Sequence, residues 1–310
     1  TVLSKLFAKR ARRSKRRPTH PLGVGASGHA VANPGPGVPT TPFFRPGRRF
    51  AMSLRHANLA REDDAMLDIR SASISLVDGA DRLDLPMNTG LVSAFWDTTS
   101  FLQFVRANLK GKAGLQALLA RSPRHHLGAT CALVRAPGSY AELGYYAQLT
   151  YRWLDREGEL WLVRYRLVPA HSEGSHLLDE VDRKAPWDHE RREGENRRAD
   201  YLRAEYAARL GRAPVPYRLQ GQFQKAAPAG DPAYDSAVAW TAPWHALAEV
   251  VAESALLPTQ TEALAFNIAH CPESLGYFRA TRPDDPNALA YYRASIYART
   301  QRIRPGPRRE

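Results

Sequence analysis

Residues 49–57 read RFAMSLRHA and residues 67–77 read LDIRSASISLV, and both alternate apolar with polar or small side chains. A period of two sends successive side chains to opposite faces of a strand, so both stretches are predicted strands with two distinct faces. Outward from them the pattern repeats in GYYAQLTYRWL (144–154) and ELWLVRYRLVPA (159–170), with DREGE as the hairpin turn between them, and in PYRLQGQFQKA (216–226). Helical periodicity marks TTSFLQFVRANL (98–109), capped by Thr98 or Thr99, and KAGLQALLARS (112–122). It also marks RRADYLRAEYAARLG (197–211), stopped by Gly211, and NALAYYRASIYARTQRIR (287–304), capped by Asn287 and ended by Pro305. HALAEVVAESALLP (245–258) reads either way. Hairpins with helices gathered late predict an α+β chain, an antiparallel barrel with flanking helices.

The 310 residues are 44% hydrophobic, enough for a sizeable core in one domain. Mean hydropathy is −0.45, and no apolar run reaches the ~18 residues of a membrane span. The first residue is Thr, so a targeting segment could already be missing. Net charge is +13, and eight of those positive charges fall in residues 1–17, which contain no acid. Removing those eight leaves +5 for the remainder, so the expected division is a basic tail, 1–17, and a body, 18–310. A block of like charges is expected to be an unstructured arm for RNA, an anionic membrane or an acidic protein. Phe7 is its one aromatic, which disfavours nucleic-acid stacking. Two cysteines, Cys131 and Cys271, exclude a CxxC metal or redox motif and fit a reducing intracellular compartment such as the cytoplasm or an organelle matrix. Ten histidines contain no HExxH.

On the last helix Arg293 and Tyr297 are four apart and share a face, which Arg304 rejoins about two turns on. A guanidinium beside a phenol favours the phenolate, an axial ligand for ferric haem, and Arg304 could meet a haem propionate. Taken alone, RxxxY is a weak pattern, and the helix reads first as a surface helix with Arg on its wet side and a half-buried Tyr. His20 lies in RPTHPLGVGASG (17–28), and a histidine facing a peroxide can shuttle a proton between its oxygens. Asn88, in PMNTG, offers an amide to orient the peroxide, or simply builds a turn. Arg55 on its strand needs an anion if it points inward.

Together these segments resemble the catalase superfamily over residues 17–304. RPTHPLGVGASG resembles its RxxH and GxGAxG, MSLRHAN its strand arginine, MLDIRSASISLVDG its DIRG strand, LDLPMNTGLVSAFWD its distal asparagine, and YRASIYARTQRIR its RxxxY proximal helix. The resemblance implies a catalase-like eight-stranded barrel holding haem b inside the closed sheet. It implies Tyr297 as iron ligand with Arg293 as partner, Arg17, Arg55 and Arg304 on the propionates, Phe101 packed on the ring, and His20 and Asn88 on the distal side.

Three departures matter. Ala57 stands where the family carries a serine, which removes one distal hydrogen-bond partner of His20. Ser71 replaces the glycine of DIRG. Thr19 precedes the histidine where catalases carry an aliphatic residue, as in the allene oxide synthase branch, which dehydrates fatty-acid hydroperoxides. The implied activity is haem-dependent processing of hydrogen peroxide or an organic or lipid hydroperoxide. The rival expectation is an accessory or structural subunit of a larger complex, docked by its basic tail, with little or no catalysis; a homo-oligomer is a further expected assembly.

Overall fold

The period-two stretches do fold as strands, and they close on themselves. A computed structural model describes residues 2–14, 17–174, 178–228 and 230–303. Its strands are β1 Gly23–Ala32, β2 Arg49–Asn58, β3 Leu67–Asp78, β4 Asp81–Asn88, β5 Leu133–Arg135, β6 Tyr145–Tyr146, β7 Tyr151–Leu154, β8 Leu160–Pro169, β9 Val215–Lys225, β10 Trp244–Ala255 and β11 Leu275–Tyr277. Its helices are α1 Val2–Ser14, α2 Thr98–Leu109, α3 Gly111–Arg121, α4 Pro123–Ala132, α5 Glu180–Lys184, α6 Tyr201–Leu210, α7 Pro258–Ala263 and α8 Ala288–Ile303. Pairing runs β8-β6-β4-β3-β2-β1-β10-β9, and β9 pairs back to β8, which closes an eight-stranded antiparallel barrel. β7 and β11 extend from β8, and β5 pairs with β3. None of the described helices is long and apolar enough to cross a membrane.

Alternation decides what fills the barrel. On β2, Phe50, Met52, Leu54 and His56 are buried in the main core with Ile74 and Leu76 of β3 and Tyr217 of β9. His56 touches the rings of Tyr145 and Tyr217, on strands that do not adjoin β2, so these contacts cross the barrel interior. Arg55, Ser71, Ser73 and Asn88 occupy the other parity, on the outer face of the same wall. The candidate site therefore lies outside the closed sheet, between its wall and helices α1, α2 and α8. This corrects the expectation of a cofactor held inside the barrel. Buried rings and aliphatic side chains occupy the interior instead.

Several elements differ from the sequence reading. The glycine-rich stretch after His20 is β1, a full barrel strand. Residues 144–154 do not form one strand: β6 ends, Gln148 takes a φ of 55°, and β7 starts afresh. The ambiguous 245–258 segment resolves as β10, flanked by β1 and β9. Helix α2 is capped by Asp97, whose carboxylate accepts from the Ser100 N–H in a reciprocal capping box, one residue before the expected threonines. The basic segment expected as an arm contains α1. There Ala8 and Ala11 are buried, and the helix packs along α8 while Lys5, Lys9, Arg12 and Arg13 stay exposed.

Candidate functional site

One cavity of about 880 Å³ gathers almost all the side chains singled out in the sequence. That volume lies within the roughly 300–1,000 Å³ of cofactor and small-molecule sites. Arg17, Thr19, His20, Arg55, Asn88, Phe101, Arg293 and Tyr297 all line it. Arg304 lies outside the described residues.

The barrel wall supplies the floor. Ser71 of β3 faces Asn88 of β4 in register, and β2 beside them presents Arg55. Gly25 of β1 sits opposite Arg55, and Gly23 opposite Ala57. A Cβ on Gly23 would stand 2.5 Å from Arg55 Cζ, so the bare backbone is what lets the guanidinium lie down. Gln148, which no local pattern marks, donates through Nε2 to the carbonyls of Thr89, Gly90 and Val92 and fixes the loop leaving Asn88.

His20 is held in the left-handed region at φ 58°, a costly conformation outside glycine. Its N–H donates to the Leu59 carbonyl at 2.8 Å, and its own carbonyl accepts from Arg55 Nη2 at 3.2 Å. The Thr19 hydroxyl lies 3.1 Å from its Nδ1. With Ala57 offering no hydroxyl, the residue just before the histidine supplies one to its ring. Its Nε2 is buried with no hydrogen-bond partner among the described residues. Burial, with the charges of Arg55 and Arg293 behind it, holds the imidazole pKa down at about 3, while Asn88 works the other way. The ring is therefore neutral across the ordinary pH range, with one nitrogen anchored and the other open.

From the helical side, α8 presents a stripe at i, i+4 and i+8, namely Arg293, Tyr297 and Gln301. Arg293 Nη2 donates to the Tyr297 phenol oxygen at 2.9 Å. Burial acts to lower the Arg293 pKa, yet the adjacent Tyr297 and Tyr151 carry it above its ordinary value. Gln301 Nε2 donates to the Phe266 carbonyl at 2.8 Å and ties α8 to the segment after α7. The α2 face adds an aromatic wall, with Phe101 4.5 Å from Phe95 between ring centroids and 5.9 Å from Phe7 of α1.

Two arginines named in the sequence converge on an acid that was not. Glu262 of α7 accepts from Arg55 Nη2 at 3.0 Å and stands 3.9 Å from Arg17 Nε. Arg17 also reaches the Leu264 carbonyl at 2.6 Å. Burial lowers the Arg55 pKa, partly offset by Glu262. Nothing in the TEAL sequence around Glu262 signals this role, because the partners are over 200 residues away. Asp68 and Arg70 of the DIR segment turn out to be structural. Arg70 is wholly buried and donates to Asn58 and to the carbonyls of Asp64, Met66 and Val134, while Asp68 accepts from the N–H groups of Ala60 and Arg61.

Comparison with known proteins bears on the fold. The fold superposes on a fungal catalase at a TM-score of 0.75, with 19% identity over 94% of this chain and 60% of that one. Catalase A from Saccharomyces cerevisiae gives 0.74 at 18% identity, covering 94% and 62%. The fold is that of the catalases, and the chain is similar to the catalase-like superfamily. The chain is 38% identical over 302 residues to an allene oxide synthase-lipoxygenase protein of Plexaura homomalla, covering 93% of this chain and 28% of that protein. It is 31% identical over 249 residues to a linolenate 9R-lipoxygenase of Nostoc sp. (strain PCC 7120 / SAG 25.82 / UTEX 2576), covering 76% and 31%. The chain thus spans less than a third of the length of these two relatives. No family model matches it.

Proposed function

We propose that the chain binds haem b in this cavity and processes hydroperoxides, with organic or lipid hydroperoxides preferred over hydrogen peroxide. The observation that carries the reading is that Tyr297, bonded to Arg293, and His20, with an open buried Nε2, line the same cavity. The residues fit the group. Tyr297 would ligate the iron, and the guanidinium of Arg293 would hold its oxygen anionic. Arg17 and Arg55 would meet the propionates by exchanging Glu262 for them, with Arg304 as a third proposed partner. Phe101 would pack against the ring. Bound haem supplies the ferric centre at which an O–O bond is cleaved.

The chain's own side chains manage the proton. Neutral His20 can accept a proton at Nε2 from the inner oxygen of a hydroperoxide and return it to the outer oxygen. Thr19 fixes the imidazole from behind by its contact with Nδ1, and Asn88 orients the peroxide through its amide. The lipid preference draws on Thr19, on the aromatic wall of α2, and on the relative whose name joins an allene oxide synthase to a lipoxygenase.

The test offers the haem-loaded chain hydrogen peroxide and a linoleate-derived hydroperoxide in parallel. Consumption of the lipid hydroperoxide without matching oxygen release is expected. Rapid oxygen evolution from hydrogen peroxide, with the lipid hydroperoxide untouched, would contradict the preference.

A further inference from the structure

We propose that Lys9 and Arg13, on the cavity-facing side of α1, bind the carboxylate of a long-chain fatty-acid hydroperoxide. The inference deepens the hydroperoxide reading and rests on it. The cations that line the cavity divide into two kinds. Arg17 and Arg55 sit against Glu262 and against backbone carbonyls. Lys9 and Arg13 line the same cavity, are exposed to solvent, and meet no carboxylate among the described residues. They are four residues apart, so they stand on one face of α1 about 6 Å from each other along its axis.

The same helix carries the start of an apolar wall. Phe7 stacks on Phe101 with centroids 5.9 Å apart and planes at 25°, and Phe101 continues into Phe95, which lies 5.9 Å from Phe104. Leu109, 70% exposed, also lines the cavity from the end of α2. An apolar wall beside two uncompensated cations at the water boundary suits an amphiphile with one anionic end. Its acyl chain gains from leaving water for the phenylalanines. Its carboxylate gains two charge-assisted hydrogen bonds where desolvation is incomplete and therefore cheap. Hydrogen peroxide needs neither feature. The arrangement also explains why a strongly basic segment packs onto the body by Phe7, Ala8 and Ala11: it places the charge where a substrate enters.

The experiment measures binding of oleate and of methyl oleate to the full chain by titration, which reads the rim without any peroxide chemistry. The wild type is expected to favour the acid by about tenfold, the effect of one well-placed ionic contact. Lys9→Gln/Arg13→Gln should bring acid and ester to parity, and the charge-retaining pair Lys9→Arg/Arg13→Lys should restore the preference. Equal binding of acid and ester by the wild type, or equal weakening of both by the Gln pair, overturns the assignment. A parallel kinetic comparison uses a linoleate hydroperoxide and its methyl ester. There the KM for the acid should rise in the Gln pair, by about tenfold, relative to the ester. A chain that turns over neither, yet keeps its oleate selectivity, sinks the peroxide reading and leaves the rim site standing.

Discussion

Arg293 and Tyr297, one helical turn apart on α8, share a hydrogen bond of 2.9 Å inside the protein, and no carboxylate among the described residues meets the guanidinium. A buried guanidinium without an acid is expensive, and it is tolerated where it faces an oxygen that can carry negative charge. In the proposed function the pair serves an electrophilic guest rather than the stability of the fold.

That reasoning separates stability from binding at one residue. Arg293→Met removes the uncompensated charge and keeps the volume, so the haem-free chain should hold or gain stability, with Tm up by about 2 °C. Haem affinity should fall by about tenfold as the phenol oxygen loses its donor. Thermal unfolding and a haem titration of the same preparation check both halves. A variant that loses stability and keeps its affinity would reverse the assignment.

Acid should weaken the fold through two histidines. Burial holds both His20 and His56 at about 3, against an ordinary 6.5. The unfolded chain binds protons that the folded chain refuses between those values. Stability is then full above pH 6.5 and falls as pH drops toward 3, by up to about 1.4 kcal/mol per histidine per pH unit. Urea unfolding at pH 7, 6 and 5 should show the decline, and His56→Phe should flatten it by roughly half. A chain equally stable at pH 7 and 5 would contradict this.

Thr19 controls the back of the imidazole. Thr19→Val removes the hydroxyl at Nδ1 and restores the aliphatic residue that catalases carry there. The ratio of oxygen evolved from hydrogen peroxide to lipid hydroperoxide consumed should rise, with haem content unchanged. An unaltered ratio would take Thr19 out of the chemistry.

Gly23 tests the fit between strand and arginine. A methyl at that position would meet Arg55 Cζ at 2.5 Å. Gly23→Ala should cost about 1–3 kcal/mol by overpacking and displace Arg55 from Glu262, measurable as a lower urea midpoint and weaker haem binding.

Much of this was legible from local pattern. RFAMSLRHA alternates cleanly, and RxxxY at helical spacing brought Arg293 onto Tyr297. What stayed hidden depended on distance or on handedness. Alternation says that Arg55 and His56 point opposite ways, but not which of the two faces the barrel interior. The break at Gln148 requires a positive φ that its neighbours do not announce. Glu262 acquires its role only when α7 folds against β1 and β2. In α1 the charge density masks Phe7, Ala8 and Ala11, whose packing turns an apparent tail into a wall of the cavity.

The central claim is a phenolate from α8 on a haem iron, and an absorption spectrum of wild type beside Tyr297→Phe tests it most directly. With haem b supplied to both, the wild type should show a high-spin ferric spectrum with a Soret band, and the variant should lose the haem or shift its bands. Identical spectra and identical haem content in the two proteins would contradict the account.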